Sequence, residues 1–208
     1  MKVWTLPNAL TTLRIVLVPI FLWQALQGTT SGSIIALVVF VAASVTDSLD
    51  GYYARKHGSD SDLGRFLDPL ADKLLVLSAF YWGAVGTGAA RPWFSIWLVH
   101  IIALREVVIT GLRMVHRRRG RQVVTAWAGK WKTVTQLTTI ITVLVFEAAA
   151  HVMSDVGLPA AWIGSLPVYI LIQVLFVAAV LLTLISGARY FTSDNRTEPL
   201  SVTGPGQS

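Results

Sequence analysis

The chain has 208 residues, 54% hydrophobic and only 13% charged, where an ordinary soluble domain carries roughly 25% charged residues. With no cysteine, disulfide frameworks, thiolate nucleophiles and thiolate-held metals are excluded, and any metal must sit on carboxylate, imidazole or backbone oxygen. The net charge of +6 reads as the Lys and Arg excess of a membrane protein's cytoplasmic face, and no nucleic-acid-binding motif accompanies it.

Six apolar stretches have the length of bilayer-spanning helices. In chain order they are Ala9 to Leu26, Ile34 to Arg55, Pro69 to Val85, Trp93 to Val115, Thr133 to Ala150 and Leu166 to Tyr190. The first is interrupted by Arg14 and Pro19 and is read as an uncleaved helix, because no A-x-A site follows it. Short polar connections such as "QGTTSGS" and "GTGAARP" read as turns. Residues 1–192 thus form one membrane domain, and the polar, Gly/Pro-rich tail 193–208 is expected to be disordered.

Orientation follows from the basic residues. With both termini cytoplasmic, the inner connections are "KHGSDSDLGRFLD" and "HRRRGRQVVTAWAGKWK", and the outer connections hold one basic residue, Arg91. The expected fold is therefore an all-α integral membrane protein with six transmembrane helices, both ends inside. Arg117 to Arg121 serve as orientation signals and anionic-lipid contacts. Trp82, Trp93, Trp97 and Trp162 fall near outer helix ends and suggest an interfacial belt.

Six aspartates crowd the segment from Asp47 to Asp72. Asp47 and Asp50 are three apart at the end of the second helix, and Asp68 and Asp72 four apart at the start of the third. Both spacings put the paired side chains on one helical face. Helices joined by a short loop tend to be neighbours, so the two faces can present four carboxylates to one volume. Hard divalent cations, Mg²⁺ or Mn²⁺, would relieve the repulsion. Gly51 and Ala54 each follow an aspartate by one turn, and Gly64 precedes Asp68 by one turn, which leaves bare backbone beside the carboxylates. Arg55 adds a guanidinium able to fork onto phosphate. The competing structural reading makes Asp68 a helix cap before Pro69 and lets Asp47 and Asp50 merely end a helix. Asp60 and Asp62, in mid-loop, read as solvated turn or capping residues.

These residues spell D-x-x-D-G-x-x-A-R, eight residues, then G-x-x-x-D-x-x-x-D. The pattern resembles the signature of the CDP-alcohol phosphatidyltransferase family at each fixed position: Asp47, Asp50, Gly51, Ala54, Arg55, Gly64, Asp68 and Asp72. Pro69, inside the last spacing, is expected to bend the start of the third helix. The resemblance implies attack by an acceptor hydroxyl on the phosphorus next to the diacylglycerol of CDP-diacylglycerol, with CMP leaving. It also implies two divalent ions, Mg²⁺ or Mn²⁺, held by Asp47, Asp50, Asp68 and Asp72. Asp72 is in addition the proposed general base, and Gly51, Ala54, Arg55 and Gly64 receive the nucleotide and its diphosphate. A homodimer in a bacterial cytoplasmic membrane, active site toward the cytoplasm, is implied as well.

Within the family, "LPNALTTLRIVLVPIF", "LDPLADKLLV", "REVVITGLR" and "GKWKT" are most similar to bacterial members that use glycerol 3-phosphate. That similarity nominates Arg105, Arg113, Lys130 and Lys132 for the acceptor phosphate, whereas Arg105 pairing simply with Glu106 is the plainer reading. Asn8, Thr11 and Arg14 either line the nucleotide or lipid entrance or act as a cap and a snorkelling arginine. Inositol phosphate and phosphatidylglycerol are the rival acceptors. Glu147 is read as interfacial or interhelical, and Gln136 with its neighbouring threonines as interhelical hydrogen-bonding residues. A cation transporter would need polar groups running on across the membrane. Outward of Asp47 the second helix reads "IIALVVFVAASV", which favours a one-sided site.

Overall fold

The computed structural model describes the backbone at 6–57, 62–86, 92–118, 121–122, 127–193 and 198–199, and side chains at 11–46, 71, 73–86, 92–116, 127 and 129–189. The described residues form six helices: α1 (Leu6–Leu26), α2 (Thr30–His57), α3 (Asp62–Val85), α4 (Ile96–Arg118), α5 (Trp127–Asp155) and α6 (Leu166–Ser193). Five contain the whole of an expected apolar stretch, and α4 begins three residues inside its own, at Ile96 rather than Trp93; most run past the stretch at one or both ends. The apolar window measures what lipid must cover, while a helix continues into polar sequence wherever the backbone hydrogen bonds permit. Two short strands, β1 (Arg121–Gln122) and β2 (Glu198–Pro199), pair antiparallel, so β2 lies within the tail segment.

α1 packs against α2 and α3, α5 against α2 and α6, and α4 against α3 and α6. At one end of the bundle the helices are linked by tight connections. Gly28 takes φ 61° between α1 and α2, and the Thr29 hydroxyl caps α2 by accepting from the Gly32 amide at 3.1 Å. Gly157 takes φ 72° after α5, where the Leu158 and Gly157 amides donate to the Met153 and Ser154 carbonyls in a Schellman closure.

The core is aromatic toward that same end. The Phe94 and Phe176 rings lie 4.5 Å apart, Phe80 packs on both, and Phe21 packs on Phe40 and Trp82. Alanines 36, 43, 79 and 179 are fully buried and let the helices approach closely. Gly83 matters for the same reason, since a Cβ there would come within 2.6 Å of the Phe94 ring.

Two of the four belt tryptophans are internal instead. Trp82 and Trp93 are buried; the Trp82 indole donates to the Ala25 carbonyl at 3.0 Å, and that of Trp93 to Glu147. Trp97 and Trp162 face outward. Indoles at helix ends suit a lipid interface and a polar partner inside a bundle equally well, so sequence position alone does not separate the two.

Outside the core the surface remains apolar: Trp23, Val38, Leu104, Val107, Val174 and Leu181 are all exposed. Segments Gly129–Asp155 and Leu166–Arg189 are long and apolar enough to cross a membrane. Helices hydrophobic on both their packed and outward faces are those of a membrane protein.

Candidate active site

The aspartates are placed by backbone geometry. Asp47 and Asp50 lie inside α2, and Asp68 and Asp72 inside α3; their side chains, with those of Gly51, Ala54, Arg55 and Gly64, lie outside the described residues. At about 1.5 Å per residue, Asp50 stands about 10 Å back from the end of α2 and Asp68 about 9 Å into α3. Asp47 and Asp72 each stand about 15 Å from the same connection. The two pairs therefore stand at matching distances along their helices from the connection between α2 and α3. Because α3 begins at Asp62, Asp68 is not a helix cap, and α2 continues to His57, well past Asp50. Asp62 takes the first position of α3 instead.

α1 lies against both of these helices, and its Arg14 is only 2% exposed. A snorkelling arginine would keep its head in water; this one points into the bundle. Thr11, one turn earlier, is buried beside it.

The nominated acceptor residues divide into two groups. Arg105 and Lys132 come together at Glu106: Arg105 Nη1 donates to Glu106 Oε1 at 3.0 Å, and Lys132 Nζ to the same oxygen at 2.6 Å. Lys73, on α3 directly after Asp72, places its Nζ 3.5 Å from Glu106 Oε2. The other Arg105 terminal nitrogen, Nη2, donates to Ser186 Oγ on α6 at 2.8 Å. Arg113 lies two turns further along α4 and is half-buried, while Lys130 is exposed. Two residues turn a helix through about 200°, so Lys130 and Lys132 face opposite ways.

The plain pairing of Arg105 with Glu106 is thus present, within a larger cluster spanning α3 to α6. Lys73 and Ser186 are members that the sequence did not single out. The available signal was Glu106 itself, the one carboxylate of α4, in the middle of the helix. One turn beyond Lys132, Gln136 donates to Thr183 Oγ1 at 3.1 Å, and Thr183 donates on to the Ala179 carbonyl, an interhelical bond of the expected kind. Glu147 is likewise interhelical, accepting from Trp93 and lying 3.9 Å from His151 Nε2.

The sequence profile of CDP-alcohol phosphatidyltransferases matches residues 4–166, a span that includes all eight signature positions. The chain belongs to the CDP-alcohol phosphatidyltransferase family. A Bacillus subtilis protein named CDP-diacylglycerol--glycerol-3-phosphate 3-phosphatidyltransferase is 35% identical over 207 residues, covering 92% of this chain and 95% of its own. A probable phosphatidylglycerophosphate synthase of Mycobacterium tuberculosis is 33% identical, over 91% of this chain and 81% of its own. The Escherichia coli protein that bears the same name as the Bacillus one is 31% identical, over 91% and 94%. As a CDP-alcohol phosphatidyltransferase, the chain is an enzyme of phospholipid synthesis. Its signature lies on α2 and α3, and the cationic cluster adjoins that signature through Lys73.

Proposed function

We propose that this enzyme transfers the phosphatidyl group of CDP-diacylglycerol to glycerol 3-phosphate, giving phosphatidylglycerophosphate and CMP. The observation that carries the reading is the gathering of Arg105, Lys132 and Lys73 around one carboxylate, next in sequence to the last signature aspartate. An acceptor that brings its own phosphate needs such a cationic seat, and relatives named for this reaction match the chain over nearly its whole length.

In this reading Asp47, Asp50, Asp68 and Asp72 hold two divalent ions, Mg²⁺ or Mn²⁺. The matching distances of the two pairs along α2 and α3 and their all-oxygen chemistry fit hard cations. Bound there, the ions neutralise charge on the diphosphate. Asp72 takes the proton of the attacking hydroxyl. Arg55 holds a phosphate oxygen, and Gly51, Ala54 and Gly64 leave room for the nucleotide. Arg105 and Lys132 orient the acceptor through its phosphate, and Arg113, two turns further along α4, lines the approach to it, while Lys130 faces away. The six helices cross a bacterial cytoplasmic membrane with both termini and the site toward the cytoplasm, and the enzyme works as a homodimer.

The test is CMP release by purified protein with CDP-diacylglycerol and Mg²⁺, run in parallel with glycerol 3-phosphate, inositol phosphate and phosphatidylglycerol. Release that depends on glycerol 3-phosphate, is abolished by EDTA and is restored by Mg²⁺ or Mn²⁺ is the expected result. Release with only another acceptor would refute the assignment while leaving the family in place.

A further inference from the structure

We infer that Glu106 is the positioning residue of the acceptor site, drawing cations from three helices into one seat for the phosphate of glycerol 3-phosphate. The inference rests on the proposed function and adds a residue that touches no reacting atom.

A carboxylate in the middle of a membrane helix is costly, and neutralising it takes one cation. Glu106 has two on the same oxygen, Arg105 and Lys132, with Lys73 on the other oxygen. The side chains of Glu106, Arg105 and Lys132 are 5%, 11% and 6% exposed, so water does little to screen them. Arg105 and Lys132 alone leave a positive charge over.

The geometry suits an anion. Because both bond Oε1, the Arg105 Nη1 and Lys132 Nζ atoms are held within about 6 Å of each other, a spacing that one phosphate can bridge. The Arg105 plane is fixed from its other side by α6. Ser186 accepts from Nη2 at 2.8 Å, and Gly187 lets Nε lie close to the helix, where a Cβ would come within 2.9 Å of it. Without the carboxylate the cations repel and lose their common anchor. Glu106 therefore acts through Arg105, Lys132 and Lys73.

The test is steady-state kinetics of Glu106→Gln, Lys132→Met and the double variant, with thermal denaturation of each. For Glu106→Gln the KM for glycerol 3-phosphate is expected to rise roughly tenfold or more. Its KM for CDP-diacylglycerol should stay within about twofold of wild type. Adding Glu106→Gln to Lys132→Met should cost less than it does in wild type, since part of its effect is already lost. A purely structural Glu106 would instead lower Tm and shift both KM values together, which overturns the inference.

Should Glu106→Gln fail to fold, Gly187→Ala carries the test, because it pushes on the Arg105 guanidinium and leaves every charge in place. A selective rise in the KM for glycerol 3-phosphate is expected there too, and an unchanged value overturns the inference. Wild-type protein that releases no CMP with glycerol 3-phosphate would overturn the proposed function and this inference with it. A normal wild type with unmoved KM values in the variants would overturn this inference alone.

Discussion

The two ends of the bundle handle polar groups in opposite ways. At the aromatic end the donors close on partners within the fold: Trp82 on the Ala25 carbonyl, Trp93 on Glu147, Gln173 on the Trp93 carbonyl and Thr30 on Asp155. Around Glu106 one carboxylate serves Arg105, Lys132 and Lys73. An end whose polar groups satisfy one another holds helices together. Arg105 and Lys132 on one carboxylate can take up a further anion, which in the proposed function is the acceptor phosphate.

Substitutions should respect that division, and the largest effect belongs to the aspartates. Asp72→Asn is expected to lower CMP release by roughly 10²–10⁴-fold, the range of a lost general base, with Tm unchanged; activity near wild type would remove Asp72 from the site. At the other end Gly83→Ala should drive a methyl against the Phe94 ring, which Phe80 and Phe176 prevent from yielding. A loss of about 1–3 kcal/mol is expected from such overpacking, read as a lower Tm with both KM values unmoved. Ser186→Ala removes one hydrogen bond from Arg105, worth about 1 kcal/mol. It should raise the KM for glycerol 3-phosphate several-fold and leave Tm nearly as it was. Smallest is Gln136→Leu, which deletes an interhelical bond worth about 0.6 kcal/mol on average in membrane proteins. It should be visible only in Tm, and a kinetic effect there would extend the working region one turn along α5.

Much of this was legible before any coordinates. The hydropathy pattern gave all six helices, because apolar stretches of spanning length have few other uses. The aspartate motif was legible because its members are local, within consecutive helices, so spacing alone puts each pair on one face. The Glu106 cluster was not, because Lys73, Glu106, Lys132 and Ser186 come from four helices and meet only through tertiary packing. Arg105 and Lys132 were nominated by resemblance, and Lys130 along with them, although helix rotation turns Lys130 outward. Trp82 and Trp93 were misassigned to a belt because burial depends on neighbouring helices that sequence position does not reveal.

Arg105 and Glu106 are neighbours in sequence and already bond each other within α4. In the proposed six-span arrangement α4 carries its charges past lipid before α5 is in place, and an isolated Arg at mid-helix costs about 2.5–3.5 kcal/mol on insertion scales. A cation and an anion supplied by adjacent residues offset part of that cost at the moment of entry, with no help from α5. Lys132, on a later helix, then finds a carboxylate already paired with Arg105. Glu106 thus meets its cations in sequence order, Lys73 from the helix before it, Arg105 beside it and Lys132 from the helix after it.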